Sequence, residues 1–142
     1  MIEFIVPGQP VPKGRPKFAR RGKGVVAYTP AKTAAYESLV QHAASAAMLG
    51  REPTARPVKL VVRLALGVPA SWSKKRRIMA IAGAIRATKK PDADNVLKGL
   101  KDGCNGIVWK DDAQVVCIEL LKFYGEIPCA AITVHELDGE AA

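Results

Sequence analysis

The chain has 142 residues and a formal net charge of +9, with 22 Lys and Arg against 13 Asp and Glu. This length predicts one domain with its own core, and no apolar run approaches the roughly 18 residues that a membrane-spanning helix needs. The N-terminus lacks a basic leader and apolar stretch, and three cysteines without close pairing argue against a disulfide framework or zinc site, so we expect a cytoplasmic protein.

The first segments predict a strand and then a basic arm. Ile2 to Val6 is an apolar run ended by Pro7 and Gly8, which is typical of a strand. Residues 9–24 contain three prolines, three glycines and six bases but no acid, so we expect no helix there. This segment is either a mobile surface loop or an arm that becomes ordered when it binds DNA phosphates. The six cations favour the arm, because a surface loop does not need them. Its candidate DNA-binding residues are Lys13, Arg15, Lys17, Arg20, Arg21 and Lys23.

The next stretch predicts a strand, a long helix and a second strand. Val25 to Tyr28 is a candidate strand, and Thr29 followed by Pro30 predicts a capped helix that runs to about Leu49. Val58 to Leu66 is rich in Val and Leu, which predicts a well-covered strand. The expected core residues of the long helix are Tyr36, Leu39, Val40, Ala43 and Ala47.

A second helix is predicted after Ser73, which is a favourable N-cap. Its first two turns carry four bases, which oppose the helix macrodipole and therefore either serve an anionic partner or form a solvated face. The expected buried face consists of Ile78, Ile81, Ala82 and Ile85. The further DNA-binding candidates in this part of the chain are Lys74, Lys75, Arg76, Arg77, Lys89 and Lys90.

Asp94 is a favourable N-cap and predicts a third helix from Asn95 to about Cys104. Its apolar side would hold Val96, Leu97, Leu100 and Cys104, with Asp94, Lys98 and Lys101 opposite. Two last strands are predicted, Val115 to Phe123 and Ala130 to Leu137. If they pair with each other, Asp111 or Asp112 lies at one end of the sheet near the helix start. Trp72 and Trp109 are expected in the core rather than at an interface.

The charge is distributed unevenly along the chain. Residues 1–91 carry 18 Lys and Arg against 3 Asp and Glu, a net +15, whereas residues 92–142 carry 4 against 10, a net −6. The first part would attract phosphate backbones. The second part contains four carboxylates that could converge into one cluster, and a hard divalent cation would neutralise them. They belong to Asp92, Asp94, Asp111 and Asp112. Alternatively, Asp94 is a plain N-cap and Asp111 and Asp112 only form a turn.

Two wider patterns resemble a known family. The first, Pro91-Asp92-x-Asp94-Asn95-x-x-Lys98 followed by Asn105-Gly106 and Asp111-Asp112-x-Gln114-Val115, resembles the RusA family of Holliday junction resolvases. The second, Pro7-Gly8-x-Pro10-Val11-Pro12-Lys13-Gly14-Arg15-Pro16 with Tyr28-Thr29-Pro30, resembles its phage and prophage branch. The resemblance covers most of the chain. It implies a small, homodimeric, Mg²⁺-dependent endonuclease that cuts four-way DNA junctions by paired symmetrical nicks.

The resemblance also implies roles for individual residues. Asp92, Asp94 and Asp112 would be catalytic metal ligands, and Lys98 would be the catalytic lysine near the scissile phosphate. Asp111 stays the alternative to Asp112, because adjacent strand residues face opposite ways. The expected cofactor is Mg²⁺, for which Mn²⁺ would substitute.

We therefore predict an α+β fold in which residues 1–142 form a single RusA-like endonuclease domain. It would have a mixed β-sheet with helices packed mainly on one face, and residues 9–24 would be a basic, mobile arm. The expected function is structure-selective hydrolysis at Holliday junctions in DNA recombination or repair. The expected partners are branched DNA and a second copy of the chain, without a membrane or a small-molecule substrate. The alternatives are a metal-dependent nuclease for flaps and forks, and a non-catalytic basic DNA-binding module.

Overall fold

The computed structural model describes all residues from Met1 to Ala142 and shows six strands and three α-helices. This arrangement confirms the predicted α+β class. In chain order the elements are β1 Ile2–Pro7, β2 Lys17–Arg21, β3 Gly24–Tyr28, α1 Ala31–Met48, β4 Val58–Leu66, α2 Lys74–Ile81, α3 Ala93–Cys104, a short 3₁₀ helix Asp112–Gln114, β5 Val115–Tyr124 and β6 Cys129–Glu136.

Four strands form a mixed sheet in the order β1-β6-β4-β5. Strand β4 pairs in parallel with β5 and antiparallel with β6, and β6 pairs antiparallel with β1. The expected pairing of the last two strands is therefore wrong, because β4 lies between them. Strand β4 is rich in Val and Leu, which suits the interior position with a partner on each side. Strands β2 and β3 form a separate two-stranded hairpin.

One face of the four-stranded sheet carries the core. Alternate residues of β4, including Leu60, Val62 and Leu64, are buried there with Ile132 of β6. Helices α1 and α3 cover this face and share one hydrophobic cluster with it. On the opposite face, Lys59 Nζ lies 3.1 Å from Glu119 Oε1. The sheet is thus covered mainly on one side, as predicted.

Helix α1 begins one residue later than expected. Pro30 is the N-cap and no side chain caps the helix, so the predicted Thr29 cap is wrong. Leu39, an expected core residue, is exposed. The buried stripe runs instead at spacings of three and four residues, which keep one face toward the sheet. It consists of Thr33, Tyr36, Val40, Ala44 and Met48.

Helix α2 is capped as predicted but ends early. The Ser73 hydroxyl accepts a hydrogen bond from the Arg76 amide at 3.2 Å. The predicted buried face is wrong, because Ile78 is exposed and Ala80 is the buried residue of the helix. Gly83 adopts a left-handed φ of 87°, so the helical register does not continue to Ile85.

Helix α3 begins two residues earlier than predicted. Asp92, not Asp94, is the N-cap, and its Oδ1 accepts a hydrogen bond from the Asp94 amide at 3.3 Å. Its inner face is as expected, with Val96, Leu100 and Cys104 buried. Burial raises the pKa of the Cys104 thiol to about 12. All three cysteines are free thiols.

Each predicted core tryptophan has a defined environment. Trp109 is completely buried in the main core. Trp72 is half-buried beside α2, where its ring meets Tyr124 edge-on at 5.3 Å and lies under the Arg76 guanidinium at 4.1 Å. None of the helices combines the length and apolar character needed to cross a lipid bilayer.

Two glycines of α3 allow a matched test of its packing on α1. A Cβ at Gly103 would lie 2.5 Å from Val40 Cγ1, whereas a Cβ at Gly99 would meet its nearest neighbour, Lys13 Cβ, at 3.9 Å. We expect Gly103→Ala to lower the free energy of unfolding by about 1–3 kcal/mol through overpacking. Gly99→Ala should instead raise it by up to about 1 kcal/mol through helix propensity. Urea denaturation followed by circular dichroism measures both. Equal effects would contradict this packing.

Candidate active site

The first turns of α3 hold three of the predicted site residues on its exposed side. Asp92 and Asp94 lie at the helix N-terminus, where the macrodipole favours negative charge. Lys98 Nζ lies 3.7 Å from Asp94 Oδ2, and the two side chains are 61 % and 72 % exposed. The lysine and the carboxylate are therefore neighbours in solvent, free to exchange this contact for another.

The second carboxylate segment is ordered by a buried tryptophan. Trp109 Nε1 donates a hydrogen bond to Asp112 Oδ1 at 2.8 Å. Asp111 instead caps the 3₁₀ helix, because its Oδ1 accepts a hydrogen bond from the Ala113 amide at 3.0 Å. Gln114 Oε1 in turn accepts from the Asp111 amide at 2.8 Å, which completes a capping box. Asp112 is thus held by a core tryptophan, whereas Asp111 caps the 3₁₀ helix, and which of the two binds a metal ion stays a prediction.

Two open pockets meet at Lys13. One has a volume of about 270 Å³ and is lined by Lys13, Lys98, Lys101, Asp102 and Asp112. The other is lined by Lys13, Lys90, Asp92, Asn95 and nearby residues of the proline-rich segment. The fold thus brings Asp112 to Lys98 although they are distant in sequence. We call the two pockets together the cleft.

Asp102 is a cleft residue that the sequence reasoning missed. Its carboxylate accepts a hydrogen bond from the Lys13 ammonium group, and Glu37 Oε1 lies 3.9 Å from the same nitrogen. This bond raises the pKa of Lys13, and the negative charges of Asp102, Glu37 and Asp112 raise it further. The signal was present in the sequence: Asp94, Lys98 and Asp102 recur at four-residue spacing and so share one helix face.

The beginning of the basic arm is docked beside the cleft. The Lys13 amide donates a hydrogen bond to the Asn95 carbonyl at 2.9 Å. The Gly14 amide donates to Thr33 Oγ1, also at 2.9 Å. The arm is therefore attached to both α1 and α3, and it continues as the β2–β3 hairpin. Its predicted mobility stays a prediction.

The predicted metal ligands are not gathered around one point. The structure contains no group of three or more His, Cys, Asp or Glu side chains placed to hold a metal ion. Asp92 caps α3, Asp94 faces Lys98, and Asp112 is held by Trp109. What fits a divalent ion is the donor chemistry, because carboxylate oxygens suit a hard cation. The shared coordination of Asp92, Asp94 and Asp112 stays a prediction.

Comparison with known proteins identifies the family. A family model described as endodeoxyribonuclease RusA matches residues 7–135. The chain belongs to the RusA family. It is also 38 % identical over 143 residues to the uncharacterized protein YqaN of Bacillus subtilis (strain 168), a match that covers 96 % of each chain. The family match includes both carboxylate segments and the basic arm, and it confirms the resemblance found in the sequence.

Most predicted DNA-binding residues of this RusA-family chain are exposed cations outside any ion pair. They are Arg15, Lys17, Arg20, Arg21 and Lys23 of the arm, Lys74, Lys75, Arg76 and Arg77 of α2, and Lys89 and Lys90 before α3. Lys13 differs, because its ammonium group is paired with carboxylates. Lys122, which the sequence reasoning did not single out, donates hydrogen bonds to the carbonyls of Lys89 and Pro91 at 2.9 and 3.0 Å. It thereby fixes the loop that leads into Asp92.

The Trp109–Asp112 hydrogen bond predicts a difference between two substitutions of one residue. Asp112→Ala would leave the indole N–H of a fully buried tryptophan unpaired, which should lower the free energy of unfolding by about 1–3 kcal/mol. Asp112→Asn keeps an oxygen acceptor and should stay within about 1 kcal/mol of the wild type. Urea unfolding followed by tryptophan fluorescence measures both, with Glu126→Ala at an exposed position as the control. An alanine variant as stable as the asparagine variant would show that the bond is unimportant.

Proposed function

We propose that the protein is a Mg²⁺-dependent endonuclease that resolves four-way (Holliday) DNA junctions by paired symmetrical hydrolysis of phosphodiester bonds. Membership of the RusA endodeoxyribonuclease family supports nuclease action on DNA. The single observation that carries the site assignment is the position of Lys98. It pairs with Asp94 at the start of α3 and lines one pocket with Asp112 from the other segment.

In this proposal Asp92, Asp94 and Asp112 hold the metal ion, for which Mn²⁺ would substitute. A bound Mg²⁺ would supply charge neutralisation at the phosphate and a lowered pKa for an attacking water. Asp112 is already oriented by Trp109. Asp92 and Asp94 are exposed, so their side chains can change rotamer without repacking the core.

Lys98 has the charge and the freedom to act on the scissile phosphate. Its ammonium group lies at the cleft on an exposed side chain. Phosphodiester hydrolysis accumulates negative charge on the non-bridging oxygens in the transition state, and a positioned cation stabilises that charge. The present contact with Asp94 is compatible with this role, because exposed ion pairs of this kind are worth little and exchange readily.

The surface cations supply the proposed contacts with the DNA backbone. The arm, whose start is anchored beside the cleft, carries five exposed cations outside any ion pair, and Lys89 and Lys90 directly precede Asp92. Such contacts release counterions and bind without regard to sequence, which suits recognition of DNA shape. A four-way junction has approximate two-fold symmetry, so two equivalent cuts are best explained by a homodimer with one site in each subunit.

One observation favours a second candidate, a non-catalytic basic DNA-binding module. The three carboxylates do not form a ready-made metal site, and each has a local structural partner. A nuclease for flaps or forks would use the same cleft on a different branched substrate. Direct measurement of cutting separates these candidates.

Asp94→Asn should abolish Mg²⁺-dependent nicking of a synthetic mobile four-way junction, with a loss of about 10²-fold or more. Binding of the junction in EDTA should be unchanged, because Asp94 is an exposed acid that contributes nothing to phosphate contacts. Glu126→Gln, an exposed carboxylate remote in sequence from both segments, is the matched control. Gel analysis of end-labelled junction, duplex and flap substrates provides the readout.

Each outcome of that assay has a distinct meaning. Cutting that survives Asp94→Asn would remove this residue from the proposed site. Equal cutting of flaps and junctions would favour the broader nuclease. Junction binding without cutting by the wild type, in either Mg²⁺ or Mn²⁺, would favour the binding module.

A further inference from the structure

The β2–β3 hairpin is a separate two-stranded element whose residues are almost all exposed. Its strands pair with each other and do not join the four-stranded sheet. All five residues of β3 are exposed, as are four of the five in β2. A two-stranded hairpin is only marginally stable in water when nothing packs against it. This one is therefore suited to being completed by a partner.

Both faces of the hairpin combine apolar and cationic side chains. The register places Phe18 opposite Ala27 and Arg20 opposite Val25, so these four residues share one face. The other face holds two further pairs, Lys17 with Tyr28 and Arg21 with Gly24, and also Ala19 with Val26. Phe18 is 71 % exposed and Tyr28 is 47 % exposed. An aromatic ring and an arginine are thus presented to solvent on each face.

The charge of this region decides which partner fits. No acidic residue occurs between Glu3 and Glu37, whereas that stretch contains seven Lys and Arg. A partner with negative charge is therefore favoured on electrostatic grounds. Exposed rings beside cations match the two parts of a nucleic acid that is not fully stacked, because bases stack on aromatic side chains and phosphates pair with Lys and Arg. An acidic protein surface would satisfy the cations but would leave the rings without a flat apolar partner.

The hairpin is also fixed at its base beside the cleft. Just before β2, the Gly14 amide donates a hydrogen bond to Thr33 Oγ1 of α1. The Lys13 amide donates one to the Asn95 carbonyl of α3. Just after β3, Pro30 is the N-cap of α1. Both ends of the hairpin are therefore anchored to the helices that support the cleft. The base of the hairpin and the cleft are therefore held next to each other.

We propose that the hairpin recognises the branch point of DNA by stacking Phe18 and Tyr28 on bases that are unstacked there, while Arg20 and Arg21 contact the flanking phosphates. Base faces are covered by neighbours within a regular duplex and are open to such stacking where strands diverge. The hairpin would thereby select branched DNA without reading its sequence. This inference rests on the proposed function, which it extends from the chemistry of cutting to the choice of substrate.

The test uses a four-way junction that carries 2-aminopurine at the branch point, together with a duplex of the same sequence. The protein carries Asp94→Asn in every sample, and EDTA is present, so no cutting occurs. The parent should change the 2-aminopurine fluorescence of the junction on binding. Phe18→Ala should remove most of that change and weaken junction binding by about 5- to 100-fold, the range expected for loss of one stacked base. Duplex binding and its salt dependence should stay unchanged.

Three further variants control the experiment. Phe18→Trp should retain the fluorescence change, because it restores a ring. Ile127→Ala removes a side chain that is 79 % exposed outside the hairpin and should have no effect. Arg20→Gln should lower the slope of log affinity against log salt by about one on both DNAs. Since Phe18 is largely exposed, Phe18→Ala should fold normally, and thermal unfolding verifies this.

Several results would overturn the inference. If Phe18→Ala lost junction binding and duplex binding equally, the hairpin would contribute to DNA binding without recognising the branch point. A change in sedimentation behaviour of the DNA-free variant would show that the hairpin contacts a second copy of the chain instead. If the parent binds junction and duplex equally, the proposed function fails separately. A 2-aminopurine single strand then tests the stacking alone, and an unchanged signal there would reject it.

Discussion

The site depends on the mutual neutralisation of carboxylates and lysines that come from three separate parts of the chain. Asp94 forms an ion pair with Lys98, and Asp102 accepts a hydrogen bond from Lys13. Asp112 lines the same pocket as both lysines. Several carboxylates in one place repel one another unless cations lie among them. The lysines provide that compensation from within the protein. A divalent ion and a phosphate would each have to replace some of these contacts, which links the binding of either to side-chain rearrangement at the cleft.

The position of the cleft follows from how α3 is packed. Its buried residues Val96, Leu100 and Cys104 belong to the same hydrophobic core as the sheet, and the absence of a side chain at Gly103 lets Val40 of α1 approach closely. The polar face of α3 must then point outward. The turn after α3 returns through buried Trp109, whose indole fixes Asp112 beside that face. The same packing anchors the start of the basic arm, so the charged arm and the carboxylates are held next to each other.

Local sequence patterns predicted the elements well where a single physical factor dominates. Strand β4 matches its predicted bounds because the segment is rich in Val and Leu, and Ser73 caps α2 because its hydroxyl accepts a hydrogen bond from the nearby Arg76 amide. The sequence patterns did not predict the features that tertiary packing determines, namely the order of the strands and the end of α2. Neither β5 nor β6 carries a signal that β4 will separate them, and the left-handed Gly83 stops α2 before its expected apolar face is complete.

For the site as well, the sequence predicts some features and only the folded structure shows the others. The aspartates and Lys98, taken together with the wider pattern around them and the proline-rich N-terminal segment, predict the family, which the family match confirms. The proposed choice of Asp112 over Asp111 depends on the position of Trp109, a residue whose burial no motif specifies. Asp102 lies outside the motif, although its four-residue spacing from Lys98 places both residues on one helix face. The predicted convergence of Asp92, Asp94 and Asp112 on one ion depends on side-chain rotamers, which neither the sequence nor the folded backbone determines.

The most direct test of the central claim is a double-mutant cycle on metal binding. Isothermal titration with Mn²⁺ would compare the wild type with Asp94→Asn, Asp112→Asn and the double variant. If the two carboxylates share one ion, each single substitution weakens the same site strongly, and the double variant binds little more weakly than either one, so the effects are far from additive. Unchanged Mn²⁺ affinity in either single variant, or fully additive losses, would contradict a shared metal site and with it the proposed catalytic cleft.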